Sequence, residues 1–448
     1  MSEPVRMTRW FSPERARVVL CRGTGLTVGD AARAVAALAG ELASSNARRW
    51  AIRAARLDDF LVALAALLTT GRIPVLFSSA DAVYRTMEGR YEGVLSADGT
   101  LPEGIAGVEV LAIPKAVPGA GAEGAFPAIG RVDPESVIEL FTSGSTGVPK
   151  RIVKTVAVMD EEARMTAPGF GALINGTTLT TSVEPQHLYG LTFAVWLPVS
   201  LGVPFAAERV RFTEMLTGME GPVSLITTPT FMRWLDETLE APAIGFALSS
   251  GGRLLPGDLA RFRLYSDAPV HEIYGSTETG AVATRSHGDA LEEAWRLLPG
   301  ASLTAADDLW HLDSPIVPEG GLDLEDRLEM LGSDGFRLLG RRDRIAKIGE
   351  VRISLGEIER ALASELGFEG RAFVVTTGGR ESIGVVVSLE DSPGFERAST
   401  RAYRTRLSRL LEPLSLPRFW RTVPRWPYNA QGKLQTRVLM ELFEDEHR

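Results

Sequence analysis

From Val137 to Tyr265 the chain alternates short apolar runs with segments of helical apolar spacing, and this alternation limits what it can fold into. Residues 137–141, 177–183, 223–227, 244–249 and 270–273 read as strands. Residues 191–201, 230–239 and 256–265 read as the helices between them. Such a pattern predicts a mostly parallel sheet covered by helices. The same order appears earlier, with helices at 31–42 and 59–68 and short buried strands at 50–54 and 73–77. Residues 100–130, rich in Gly, Pro and Ala, read as loop. The pattern breaks between Gly280 and Gly340, where short strands and turn residues suggest a small antiparallel or barrel-like piece. After Arg341 a new α+β unit begins: helix 355–366, strands 372–376 and 383–389, helix 397–411. The expected architecture is α/β, with a large domain over residues 1–342 and a small domain over 343–448.

Length and composition support this and remove other classes. At about 150 residues per domain, 448 residues suggest two or three domains. A hydrophobic fraction of 45% and a charged fraction of 23% exclude wholesale disorder. The longest strongly apolar run, 60–68, is too short to cross a bilayer. The first 13 residues lack an apolar signal core. The single cysteine, Cys21, cannot form an intrachain disulfide, and it reads as inert packing in a cytoplasmic protein. The net charge of −9 argues against a nucleic-acid-coating surface. That charge is uneven: residues 343–448 carry a net +2 and the remainder −11.

The strongest local signal is Phe141-Thr-Ser-Gly-Ser-Thr-Gly-Val-Pro-Lys150. Gly144 and Gly147 let backbone N–H groups approach an anion closely. Ser143, Ser145 and Thr146 add hydroxyl donors, and Lys150 adds positive charge. The arrangement suits phosphate, although a Ser/Gly surface turn has the same composition. A Walker loop requires Gly-Lys-Ser/Thr as adjacent residues before a helix. Here Lys150 follows Pro149, and 151–153 reads as strand.

Thr142 to Lys150 resembles the phosphate loop of the adenylate-forming superfamily: acyl- and aryl-CoA synthetases, peptide-synthetase adenylation domains and luciferases. Further motifs follow in that family's order. Pro185-Gln-His-Leu-Tyr-Gly-Leu191 resembles the segment beside the acyl pocket, and the resemblance assigns His187, Tyr189 and Phe231 to substrate. His187 taken alone reads as a satisfied core histidine. Ser250-Gly-Gly-Arg253 resembles the turn against which adenine stacks, placing Gly251 and Gly252 at ATP. Tyr274-Gly-Ser-Thr-Glu-Thr-Gly280 is nearly the full family motif. It implies Tyr274, Gly275 and Ser276 at the nucleotide, Thr277 on the α-phosphate and Glu278 on magnesium. A carboxylate among hydroxyls and glycines also suits a hard cation in its own right. The resemblance gives Asp326 the ribose hydroxyls, with Asp323 as the rival, and gives Arg341 ribose and phosphate. Asp343 is the implied hinge, about which the small domain moves. Pro427-Tyr-Asn-Ala-Gln-Gly-Lys433 resembles the C-terminal catalytic-lysine motif. Lys347 and Gly349 are implied at the thiol tunnel, where Glu350 stands at a position usually held by glycine.

The resemblance covers residues 141–437 and implies a two-step ligase. ATP and a carboxylic acid give an acyl-adenylate, and a phosphopantetheine thiol then takes the acyl group. Phe193, Trp196 and Trp234 join the expected acyl-pocket aromatics, which suit an aryl or compact acyl acid. The wording of the His187 segment and the short chain are similar to the acyl/aryl-acid:acyl-carrier-protein ligases of aryl-polyene pigment clusters, including hydroxybenzoate-loading ones. Arg401, Arg404, Arg406, Arg409, Arg418, Arg421, Arg425, Lys433 and Arg437 face one acid, Glu412, within their window. That basic run points to an acidic carrier protein as acceptor. Free CoA and a non-catalytic nucleotide-binding relative are the alternatives.

Overall fold

The computed structural model describes residues 3–78, 80–119, 125–142, 149–288, 292, 294–306, 309–341, 344–348, 351–377, 380–428 and 434–443. Packing divides the chain into two compact units. One is Met1–Ser302 with Asp313–Leu322, the other Leu303–Leu312 with Asp323–Arg448.

Two sheets organise the first unit. In one, strands Glu109–Ala112, Gly93–Ser96, Arg49–Arg53, Ile73–Leu76 and Val137–Thr142 lie side by side and parallel. Lys150–Thr155 closes that sheet antiparallel, with Thr142 opposite Lys150. In the other, Thr178–Thr181, Val223–Thr227, Ile244–Ser249 and Val270–Ser276 run parallel. Gly280–His287 and Ala294–Leu297 extend it antiparallel. Gly280–His287 is therefore an extension of the main sheet, not part of a separate barrel. At the centres of these strands Trp50, Ala51, Ile52, Val75, Leu76, Ile138, Leu140, Leu225, Ile226, Phe246 and Leu248 are buried, as in parallel sheets packed beneath helices.

Helix Leu57–Thr69 explains the apolar run near residue 60. Phe60, Leu61, Leu64, Leu67 and Leu68 are all buried, as are the alanines between them. A helix apolar all round is an interior helix of a large protein, where each large side chain contributes about 1.5–3 kcal/mol. No described helix is long and apolar enough to cross a membrane.

Three local expectations fail for identifiable reasons. Residues 100–130 contain a strand, Glu109–Ala112, paired in parallel with Gly93–Ser96; the surrounding Gly and Pro conceal its four residues. Helix Val156–Ile174 was not expected at all. Its second half holds Pro168, Gly169 and Gly171, which read as breakers. It forms because Thr155 caps its start, its side chain accepting from Val158 N, and because Met159, Ala163, Phe170 and Ile174 are buried. The helix expected at 230–239 is only Pro229–Arg233.

Ser302–Ala306, Leu309–Asp313 and Leu322–Leu324, most of whose residues belong to the second unit, form a small sheet. Hairpin Asp326–Met330/Gly335–Arg341 follows. Helix Leu355–Ala361 packs on Gly370–Thr377, which pairs antiparallel with Arg380–Ser388; Phe419–Val423 adds in parallel. The expected helix at 397–411 is α-helical only over Thr400–Leu407. By packing, the second compact unit takes in the chain from Asp323 onward. The hairpin stays with the C-terminal segment, where Arg360 Nη1 donates to the Leu339 carbonyl at 2.7 Å. Buried Glu359 holds the start of that segment by accepting from Arg344, from Arg371 Nη1 (3.0 Å) and from Ala372 N (3.0 Å).

Candidate active site

In open parallel sheets, ligands bind beyond the carboxyl ends of the strands. Three of the expected motifs and Phe231 occupy those ends. His187 and Tyr189 follow Thr178–Thr181, Phe231 follows Val223–Thr227, and Gly251 and Gly252 follow Ile244–Ser249. Tyr274 to Ser276 end Val270–Ser276, and Thr277 and Glu278 form its turn. Ser250 Oγ donates to the Ile273 carbonyl at 3.0 Å, tying the glycine turn to the strand that carries Tyr274. The Tyr274 ring lies 5.7 Å from that of buried Trp295, whose own ring carries the Arg285 guanidinium at 4.2 Å.

The turn bearing Glu278 is tightly specified. Ser276 N donates to Thr279 Oγ1 at 2.9 Å, and Thr279 N donates back to Ser276 Oγ at 3.1 Å. A Cβ on Gly275 would stand 2.1 Å from the Gly280 carbonyl oxygen, so only glycine fits there. Lys150 Nζ donates to Glu278 Oε1 at 2.6 Å, and Lys154 Nζ donates to the Glu278 carbonyl at 2.9 Å. Residues 150 and 154 are four apart on one strand and share a face. One strand edge therefore carries both lysines to the tip of another strand's turn. Burial raises the Glu278 carboxyl. The Lys150 hydrogen bond and the backbone and Ser276 contacts outweigh that effect and hold it below its ordinary value. An ionised carboxylate that is partly exposed and hydrogen-bonded suits a magnesium ion, which needs only one or two protein carboxylates beside substrate phosphates.

Lys154 and Glu162 were missed by sequence reasoning. Both are buried. Glu162 Oε1 accepts from Ala281 N at 2.8 Å, and Oε2 accepts from Thr192 Oγ1 at 3.2 Å. Burial lowers the Lys154 ammonium pKa and raises that of Glu162, and their mutual attraction opposes both shifts. Together they brace both ends of the Thr277–Gly280 turn. The even spacing of Lys150 and Lys154 was the available signal; nothing local marked Glu162.

The substrate-side aromatics separate into two groups. Tyr189 is partly buried; its hydroxyl donates to the Leu248 carbonyl at 2.7 Å and its ring lies 5.5 Å from Phe193. Phe231 is half-buried beside the Thr228 cap of its short helix. His187 Nε2 lies 3.7 Å from Glu184 Oε2, and Glu184 also accepts from Arg209 Nη1 at 3.1 Å. Trp196 is not an acyl-pocket residue. Its indole N–H donates to Asp160 Oδ1 at 2.9 Å and its ring meets Trp10 edge-on at 4.8 Å, fixing the N-terminal segment to the core. Trp234 is 49% exposed.

In the second unit, Asp326 stands opposite Arg341 in the hairpin register. The rival, Asp323, pairs with His311 Nδ1 at 2.9 Å. Asp326→Ala is expected to raise the KM for ATP about tenfold, the loss of hydrogen bonds to one group, while Asp323→Ala leaves it within twofold. Initial rates across an ATP series check this; the reverse pattern exchanges the two assignments. Lys347 lies on strand Ile345–Ile348, opposite Arg352. Ser143, Gly144, Ser145, Thr146, Gly147, Asp343, Gly349 and Lys433 lie outside the described residues. Tyr428 and Leu434, which flank Lys433, form an antiparallel bridge.

The basic run is less free than its sequence suggests, because its partners lie outside the window counted. Arg437 pairs with Glu441 (3.1 Å) and Arg425 approaches Glu390 (4.0 Å). Arg406 donates to the Glu365 carbonyl, and Arg421 to the Leu442 carbonyl. Arg401, Arg404, Arg409 and Arg418 have no carboxylate partner among the described residues.

The chain is 29% identical to a 4-coumarate–CoA ligase of Halorhodospira halophila over 231 residues, 51% of this chain and 57% of that protein. It is 25% identical to a p-hydroxybenzoic acid–AMP ligase of Mycobacterium marinum over 368 residues, 69% of this chain and 50% of that one. The chain thus spans about half the length of these curated relatives. Its fold matches a benzoate CoA ligase from Burkholderia xenovorans at a TM-score of 0.76, with 19% identity over 96% of this chain and 98% of that one. ATP-bound MatB from Rhodopseudomonas palustris matches equally, at a TM-score of 0.76 and 18% identity over 94% of each chain. Residues 9–308, the stretch that holds the motifs from Thr142 to Gly280, match the family of AMP-binding enzymes: the protein belongs to the AMP-binding enzymes.

Proposed function

We propose that the protein activates a carboxylic acid with ATP. A carboxylate oxygen attacks the α-phosphorus and pyrophosphate leaves, giving an acyl-adenylate. A pantetheine thiol then attacks the acyl carbon, the carbon–oxygen bond to phosphate breaks, and AMP leaves. The observation that carries this reading is the Glu278 turn, locked by Lys150 and Lys154 at the carboxyl ends of the parallel strands. Such a turn supplies fixed charge and donors where phosphate charge develops. Thr142, the 143–147 loop and Lys150 hold the phosphates, with Thr277 on the α-phosphate; Tyr274, Gly251 and Gly252 take the base. Magnesium, when bound, neutralises phosphate charge, and Glu278 would hold it. Lys433 stabilises the charge that builds during adenylation. The small domain, residues 343–448, turns about Asp343 and brings Lys347 and Gly349 to the thiol.

The acid is an aryl or compact acyl acid such as a hydroxybenzoate. Partly buried Tyr189, buried Phe193 and half-buried Phe231 near the strand ends, and relatives acting on 4-coumarate and p-hydroxybenzoic acid, support that class. ATP–pyrophosphate exchange across benzoates, cinnamates and fatty acids tests it. Exchange confined to aryl acids is expected; exchange with long-chain acids alone would replace the substrate class.

The acceptor is an acyl carrier protein, supported by the arginines without carboxylate partners on and around helix Thr400–Leu407. Arg401 and Arg409 are exposed. Arg401→Glu/Arg409→Glu is expected to slow transfer to a carrier protein roughly tenfold or more through the association rate, with pyrophosphate exchange intact. Stopped-flow acyl transfer measures this. Rapid turnover with free CoA and none with any carrier protein would reassign the acceptor.

A further inference from the structure

The strand that carries Tyr274 also carries a buried carboxylate, Glu272, two residues earlier and on the same face. Arg285 stands opposite Glu272 in the antiparallel register. Its Nε donates to Glu272 Oε2 at 2.7 Å, and buried His287 meets the same oxygen through Nε2 at 2.7 Å. The Glu292 backbone N–H donates to His287 Nδ1 at 2.9 Å, so Nδ1 bears no proton and Nε2 is the donor to Glu272. Arg285 Nη1 donates to the Glu292 carbonyl at 2.8 Å. One buried carboxylate thus fixes two side chains, and these two hold both backbone polar groups of Glu292. Three residues further on, buried Trp295 has the Arg285 guanidinium 4.2 Å from its ring centroid and the Tyr274 ring at 5.7 Å. The contacts therefore run from Glu272 through Arg285 and Trp295 to Tyr274, which is partly exposed near the end of its strand.

We propose that Arg285, anchored by Glu272 and His287, is a positioning residue for nucleotide binding. A guanidinium held over an indole fixes the plane of that ring as well as its own. Trp295 in turn limits the tilts open to the Tyr274 ring. Tyr274 then meets a base already oriented, and less side-chain freedom is lost on binding. The inference rests on the reading that Tyr274 takes the nucleobase, and it adds residues that act through Tyr274.

Binding to the full chain is measured by titration calorimetry with magnesium present. The ligands are ATP and inorganic tripolyphosphate, which has no base. Arg285→Lys keeps a charge opposite Glu272, and so the fold, but loses the planar contact with Trp295. Trp295→Leu keeps an apolar core residue and removes the ring. Each is expected to raise the Kd for ATP about threefold to tenfold, the worth of one aromatic contact, and to leave that for tripolyphosphate within about twofold. In a Tyr274→Ala background, itself weaker for ATP, neither substitution should have a further effect, because both act through that ring. A merely structural loss would weaken both ligands and persist in that background. Unchanged ATP binding in both variants, equal losses for ATP and tripolyphosphate, or full additivity with Tyr274→Ala overturns the proposal. Wild-type ATP affinity in Tyr274→Ala itself would overturn the base reading of Tyr274, and the proposal with it.

Discussion

Lys433→Ala is expected to lose acid-dependent ATP–pyrophosphate exchange by at least about 100- to 1000-fold, the effect of removing one donor aimed at developing oxyanion charge. Thioester formation from supplied acyl-adenylate should fall by less than about threefold. The asymmetry follows from the proposed two-step reaction. The lysine acts while negative charge moves from the carboxylate to the phosphates, and thiol attack on a formed adenylate no longer needs it. Separate assays of the two half-reactions measure the difference. Equal loss in both would mean that Lys433 serves the fold or a shared binding step instead.

Lys154→Met is expected to destabilise the first unit by about 3–5 kcal/mol, because it leaves Glu162 buried without its compensating cation. Pyrophosphate exchange should fall more than tenfold even in protein that remains folded, since the Glu278 carbonyl loses its donor. The pair can be separated from simple misfolding. In Lys154→Met/Glu162→Gln the unpaired charge is gone, so stability should largely return, while exchange stays depressed because the turn is still unbraced. Urea unfolding and exchange rates on the three variants check both parts. Additive losses in the double variant would show that the two residues do not act together.

Much of the first unit was legible because its strands are apolar runs bounded by turn residues. Val223–Thr227 and Ile244–Ser249 begin and end where the pattern places them. The helix Val156–Ile174 was hidden because its interior holds residues that break helices in isolation, and burial overrides them. Motif spacing put Lys150 and Glu278 in one loop region, and the two side chains meet at 2.6 Å. It could not show that Lys154 reaches the Glu278 carbonyl, because that contact joins residues 124 apart in sequence. Aromatic content misled at Trp196, where proximity to the motif in sequence said nothing about which way the helix turns its indole. Likewise, a basic window overstates free charge when Glu390 and Glu441 lie just outside it.

Oxygen-18 transfer tests the proposed chemistry most directly. The acid is supplied with both carboxylate oxygens labelled, together with ATP, magnesium and a thiol acceptor, and the phosphorus products are examined by ³¹P isotope shift. Attack of the carboxylate on the α-phosphorus, followed by acyl transfer to the thiol, leaves one labelled oxygen on AMP and none on pyrophosphate. Label in inorganic phosphate with ADP as co-product, or AMP that carries no label, would contradict acyl-adenylate formation.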